Sequence, residues 1–405
     1  MLKFLFFLKK IIPYLFISSA LPNLYFPQNT NFKIENLSIE EKVGQIMMIN
    51  FLGENPNDAK NLIQEIKVGG IIYYTWANSL NSFKQVQELS LGLQELTKKN
   101  KHPIPLFISI DQEGGEITRL TNGFSIFPNN KTLGITNNPE FAKDVAFAMG
   151  QELQAVGINM NLAPVVDINN NPKNPIIGSR SFSDNSQTVV NFGKKALEGY
   201  KKAKIIATLK HFPGHGDVEE DSHISLPMVS KSLEDLKKID LLPFEELASF
   251  AEAIMTAHII VPAFDEENCS TLSKSTLTYL RKEIGFEGII ISDSLIMQAA
   301  LQNCSDIIEA AIKAFNAGCD VLLFGGQNLH NEDIKQTHSS IIDAVRNGDI
   351  SETRLNESVE RILNLKKRYL CSACEHKEID FEEHKKLIDK ITSFVSVQPI
   401  QQRTF

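Results

Sequence analysis

The sequence is short of the features that mark several specialised classes. No G-x-G-x-x-G run or P-loop follows any strand-like segment, so it carries no nucleotide fingerprint. It lacks a basic excess: the formal net charge is -8, which argues against nucleic acid or an anionic membrane as a general partner. Its five cysteines, Cys269, Cys304, Cys319, Cys371 and Cys374, are odd in number and irregularly spaced, which excludes a disulfide framework. Cys371-x-x-Cys374 has no second pair, and the nearby His376 does not complete a zinc pattern. A structural or redox use of that pair stays open. The apolar N-terminus also falls short of a membrane span, which needs about 20 apolar residues. Its uncharged run from Ile11 to Phe26 is broken by Pro13 and Pro22.

What is present is a chain of 405 residues, 42% hydrophobic, enough for one large domain or two ordinary ones. Residues 1–30 read as an export signal, with Ser18-Ser19-Ala20 as a small-residue processing region. The expected location is then periplasmic or in the cell envelope, the alternative being an N-terminal helix on a cytoplasmic protein. Folding signals begin with Ser38 and Glu41, spaced as a capping box. Apolar runs then alternate with amphipathic stretches. Strands are expected at 46–51, 70–74, 106–110, 158–162, 205–209, 253–257, 288–292 and 320–324, the first competing with a helix over 41–51. Between them, Asn138-Pro139 opens a helix that Gly157 ends. Val189, Phe192, Ala196, Leu197 and Tyr200 share one helical face, as do Ile307, Ala310, Ala311 and Ala314. Another helix is expected over 351–370. Eight short apolar strands separated by helices predict an α/β fold, a (β/α)8 TIM barrel, rather than an open sheet.

The active site of such a barrel lies at the carboxyl ends of its strands. Asp111 and Arg119 follow the third strand; Asn161, Asp167 and Arg180 follow the fourth. Lys210 and His211 follow the fifth, His258 the sixth and Asp293 the seventh. Lys210 opens the stretch KHFPGHGDVEEDSH (210–223), which holds three histidines, two aspartates and two glutamates. His211 and His215 have the i, i+4 spacing of helical metal ligands, but Pro213, Gly214 and Gly216 break any helix there. A loop bringing His215 and Asp217 to an ion, or a polar turn alone, are the competing readings. Acid–base chemistry fits better. Asp221 and His223 are two apart and share one side of an extended backbone. A carboxylate beside an imidazole sets its tautomer and stabilises the protonated ring. Asp293 is either a helix N-cap or a member of the polar ring.

Several motifs in order resemble family-3 glycoside hydrolases, in particular the β-N-acetylglucosaminidase branch. They are EKVGQIMM (41–48), GGIIYY (69–74), IDQEGGEITRL (110–120), NLAPVVDI (161–168), IIGSRSFS (176–183), KHFPGHGDVEEDSH (210–223), TAHIIVPAFD (256–265) and ISDSLIM (291–297). The resemblance covers roughly residues 37–370. It implies that Asp293 is the nucleophile and that His223, paired with Asp221, is the acid/base. It also implies that Asp111, Arg119, Arg180, Lys210 and His211 hold the sugar; Arg119, Arg180 and Lys210 would bind its hydroxyls or an acidic substituent, unless they pair internally with Asp111 or Asp167. The reaction implied is removal of terminal N-acetylglucosamine with retention, from GlcNAc-containing saccharides or muropeptides. No cofactor, metal, nucleic acid or stable protein partner is implied. Phosphate in place of water as the acceptor stays open. Competing readings are a β-glucosidase of the same family, a substrate-assisted hexosaminidase and a non-catalytic cell-wall sugar-binding protein. Val218 departs from the threonine common in relatives. Residues 371–405 resemble the start of a second domain and are expected to be a loosely packed, truncated tail after a catalytic domain at 31–370.

Overall fold

The computed structural model describes residues 32–220, 226–327, 329–371 and 378–396. The eight expected strands form as β1 (Met47–Ile49), β2 (Gly70–Ile72), β3 (Phe107–Ile110), β4 (Met160–Asn161), β5 (Ile206–Phe212), β6 (Ala253–Thr256), β7 (Ile289–Ile291) and β8 (Leu322–Phe324). Each pairs in parallel with its sequence neighbours, β1 also pairs with β8, and a parallel bridge between Ile291 and Val321 joins β7 to β8. The sheet therefore closes into a (β/α)8 barrel. The strand residues are buried on both faces, as expected of a sheet walled by helices and filled inside by its own side chains.

The principal helices are α1 (Ile39–Gln45), α2 (Phe83–Thr97), α3 (Glu140–Ala155), α4 (Ser186–Lys202), α5 (Leu242–Leu247), α6 (Lys274–Thr278), α7 (Ile307–Ala317), α8 (Asn331–Asn347), α9 (Glu352–Leu370) and α10 (Phe381–Ser396). The Ser38 capping box starts α1: Glu41 N–H donates to Ser38 Oγ at 3.3 Å, and Ser38 N–H donates to Glu41 Oε2 at 3.0 Å. Helix α1 stops at Gln45, so the segment that follows is free to run as β1; the competition between helix and strand is resolved by both forming in turn. Gly157, at φ +79°, turns the chain after α3. The predicted apolar faces of α4 and α7 are buried against the barrel.

Two buried polar groups lock the floor. Asp320 sits fully buried before β8 and accepts Ile290 N–H at 2.9 Å, which ties β7 to β8. Arg281, Arg354 at 3.3 Å and Arg361 at 3.1 Å all pair with it. From α9, Lys366 donates to Gln45 Oε1 at 2.7 Å and to the Gly69 carbonyl at 2.8 Å, with its Nζ 4.8 Å from the centre of the Phe107 ring.

The tail forms a helix beside the barrel. Helix α10 packs on the barrel flank through a hydrogen bond between buried His384 and Glu152, Nδ1 to Oε1 2.8 Å. Phe381 meets Phe83 edge-on, Phe394 meets Phe141 in the same way, and Ile391 is fully buried. The helix is thus anchored by buried His384 and Ile391, while Phe381 and Phe394 stay exposed. Cys371 is buried, while Cys374 and residues 1–30 lie outside the described residues. Among the described residues no helix is long and apolar enough to cross a membrane.

Candidate active site

Strand β5 runs farther than its apolar run suggests. It continues through Lys210 and His211 to Phe212, so these two residues belong to the strand rather than to the loop after it. The extension pairs Val165 with Lys210, and Val166 N–H donates to the Lys210 carbonyl at 2.9 Å. Lys210 reaches across the barrel. Its Nζ lies 2.7 Å from Asp111 Oδ1, beyond β3, and 2.7 Å from Glu113 Oε1. Glu113 is also gripped by Arg180 through a two-pronged contact, Nε to Oε2 2.9 Å and Nη2 to Oε1 2.8 Å. Burial alone would raise the Glu113 carboxyl; Arg180 and Lys210 outweigh it and hold the group far below the usual carboxylate range. Burial would lower the Lys210 ammonium, but Asp111 and Glu113 keep it above the ordinary lysine range.

A second hub anchors the loop that follows. Asp167, fully buried, accepts His211 N–H at 3.1 Å, the His211 ring through Nδ1 at 2.7 Å and His215 N–H at 2.7 Å. Burial works against its ionised form, yet the two histidines hold its pKa below normal. With Nδ1–H committed to Asp167, His211 keeps Nε2 as its remaining polar atom. Burial, and then the His211 ring beside it, lower His215 to about 4, so it is neutral at pH 7. Gly216 lies against the backbone after Asp167: a Cβ there would stand 1.7 Å from the Ile168 carbonyl oxygen, so no other residue fits. Asp217 pairs with Lys231 at 3.0 Å, and Lys231 pairs with buried Asp240 at 2.8 Å.

Asp293 follows β7 at the barrel mouth and is partly exposed. It is not the cap of a helix: the helical turn at Gln298–Leu301 has Met297 at its N-cap position, without a side-chain cap. The carboxylate accepts the N–H of Ser294 at 2.7 Å, and the backbone N–H of Asp293 reaches Thr256 Oγ1 at 3.4 Å. Burial would raise its pKa, but His258, His211, the Ser294 amide and Lys210 together lower it, so the group is an anion near neutral pH. His258, at the end of β6, is set by a 2.9 Å bond from Nε2–H to the Ser294 carbonyl.

The structure thus brings Asp111, Lys210, His211 and Asp293 to one end of the barrel. Arg180 joins them indirectly, through Glu113. Arg119 follows β3 and, among the described residues, forms no ion pair; its Nε is buried without a hydrogen-bond partner. Asp221 and His223 lie outside the described residues. Two of the three basic residues are therefore paired internally, with Glu113 as the shared partner in place of Asp167. Glu113 was missed as a site residue. The signal was its place in Asp111-x-Glu113, where alternate residues after a strand turn the same way. Asn161 stays in β4 and braces the wall instead, donating to the Gln112 carbonyl at 2.8 Å and to Tyr200 Oη at 3.0 Å.

Ionisable groups gathered at the carboxyl ends of eight parallel strands, with one carboxylate held charged at the mouth, have the layout of a barrel enzyme working by carboxylate and imidazole chemistry. The Glycosyl hydrolase family 3 N terminal domain matches residues 38–365. The chain belongs to that family, and its barrel is a glycoside hydrolase domain. It is 34% identical over 368 residues to Beta-hexosaminidase A of Pseudoalteromonas piscicida, a match covering 82% of this chain and 61% of that protein. It is 36% identical over 268 residues to the Beta-hexosaminidase of Haemophilus influenzae, covering 65% of this chain and 74% of the relative. Among solved structures, a glycoside hydrolase family 3 beta-N-acetylglucosaminidase from a Paenibacillus strain superposes with a TM-score of 0.83 at 39% identity, over 89% of this chain and 69% of that one.

Proposed function

We propose that the chain is an exo-acting, retaining β-N-acetylglucosaminidase in which Asp293 attacks the anomeric carbon. The observation that carries this is the state of Asp293: ionised, partly exposed at the mouth, and beside His258, His211 and Lys210. A nucleophile needs that combination of charge and access. Asp111, Lys210 and His211 hold the terminal sugar, and Arg119 supplies a guanidinium for its hydroxyls or for an acidic substituent. His223 with Asp221 protonates the leaving oxygen, then takes a proton from the water that releases the glycosyl-enzyme. Most retaining glycosidases use a second carboxyl about 5–5.5 Å from the nucleophile. Here Glu113 and Asp167 are committed to ion pairs and histidine bonds, which supports an imidazole in that role.

Fragments of peptidoglycan are the substrate class this reading favours, because their acidic substituents suit the Arg119 guanidinium, which forms no ion pair among the described residues. Export to the periplasm or envelope fits the same reading, and sequencing the mature N-terminus tests it. The decisive experiment is turnover of 4-nitrophenyl N-acetyl-β-glucosaminide, with the β-glucoside as control. Asp293→Ala is expected to lower kcat by at least about 10³-fold. Added azide should partly restore it and yield the α-glycosyl azide. Near-wild-type turnover by Asp293→Ala, or preference for the glucoside, overturns the proposal.

A further inference from the structure

The end of β2 carries two aromatic side chains that the reaction scheme leaves unused. Parallel register pairs Ile71 with Ile108 and Ile72 with Ser109, so continuing it sets Tyr74 beside Asp111. Tyr73 turns outward, its hydroxyl 3.1 Å from Ser90 on α2. Alternation along the chain therefore sends Tyr74 toward the barrel axis. There the Tyr74 hydroxyl fills space at the end of β8: a Cβ on Gly325 would stand 2.4 Å from it. Gly325 exchanges two hydrogen bonds with Ser294, the neighbour of Asp293. Burial, then the charges of Asp111 and Asp293, raise the phenol pKa, so Tyr74 stays a neutral hydroxyl beside both carboxylates.

Trp76 stacks on Tyr74 with ring centres 5.1 Å apart and planes 19° from parallel. It is the only tryptophan in the chain and is 40% exposed. Its segment is firmly tied. Gly53 N–H donates to the Ala77 carbonyl at 3.0 Å, and the Asn78 amide donates to the carbonyls of Phe51 at 3.0 Å and Gly53 at 3.2 Å. The loop after β1 that ties this segment down carries Leu52, 61% exposed. An indole fixed on one face by a tyrosine and open to water beside a polar cleft is a preorganised surface for a ring with an apolar face. Tyr74 thus links the two: it lies beside Asp111 on one side and carries the exposed Trp76 ring on the other.

We propose that Trp76 is the platform for the ring on the leaving side of the scissile bond, a second pyranose in the natural substrate, with the Tyr74 hydroxyl facing the cleft between the two rings. The proposal rests on the glycosidase reading of the site. It is tested by comparing N,N′-diacetylchitobiose with methyl N-acetyl-β-glucosaminide, whose leaving group has no ring, in Trp76→Ala and Trp76→Phe. The ratio of kcat/KM for the disaccharide over that for the methyl glycoside should fall about tenfold in Trp76→Ala and be largely recovered in Trp76→Phe. An unchanged ratio overturns the proposal, whether both values fall together or neither falls. Binding gives an independent readout, because all indole fluorescence comes from residue 76. In Asp293→Asn, the disaccharide should shift that fluorescence more than free N-acetylglucosamine does, and equal shifts overturn the platform. If the wild type cleaves neither glycoside, the functional reading fails by itself, and the titration still decides the role of Trp76.

Discussion

Replacing Glu113 with glutamine tests whether the buried charge network builds the sugar site. The change keeps size and shape but removes one charge from between two cations. In the wild type, Glu113 accepts Arg180 at 2.8 and 2.9 Å and Lys210 at 2.7 Å, with only 2% of its side chain exposed. Glutamine offers one oxygen, and either orientation aims its NH2 at Arg180 or Lys210. Breaking a buried pair by removing one partner costs about 3–5 kcal/mol. Asp111 still accepts Lys210, which places the expected loss at the lower end, about 3 kcal/mol at pH 7. The measurement is urea unfolding, read as free energy at equal slope. The pH dependence has a definite sign. The folded pKa of Glu113 lies below its unfolded value of about 4.3, so its stabilisation is complete above that pH and is lost as pH falls through the folded pKa. The gap between wild type and Glu113→Gln should therefore narrow below about pH 4. A shift of Lys210 by an ångström should also lower kcat/KM by about 10²-fold. A variant within about 0.5 kcal/mol of wild type at pH 7 refutes the reasoning, since that is the range of substitutions away from any network.

Arg119 should behave in the opposite way. It forms no ion pair among the described residues, so Arg119→Ala should cost under about 1 kcal/mol in urea unfolding while raising KM about tenfold; a large stability loss with unchanged KM contradicts its assignment to the substrate. Lys366 predicts a slope in stability. Burial holds its folded pKa well below the ordinary lysine value and it has no carboxylate partner among the described residues, so the unfolded chain binds more protons between the folded pKa and about 10.4, and stability rises with pH in that window. Lys366→Met should lose that rise when unfolding is compared at neutral and alkaline pH, and an equal rise in both proteins sinks the argument.

Much of the architecture was legible because it is written in local patterns. Each strand is a short apolar run, and the Ser38 capping box, the Gly157 stop and the apolar faces of α4 and α7 are sequence-local devices that formed as expected. Strand ends were less legible. The extension of β5 through Lys210 and His211 depends on pairing with Val165, which no property of 205–212 announces. The docking of the tail was illegible for the same reason: His384 has no visible partner until α10 lies beside Glu152.

By itself the sequence determined the number and order of the elements, and the chemistry available at the strand ends, because periodicity, caps and the order of motifs are properties of neighbouring residues. Only the tertiary structure decided who pairs with whom. Closing the barrel brought Glu113 between Lys210 and Arg180, residues 97 and 67 positions away from it. It buried Asp167 beneath two histidines and left Asp293 as the carboxylate held ionised at the mouth. Charge pairing follows distance and desolvation in space, and neither quantity is set by position along the chain.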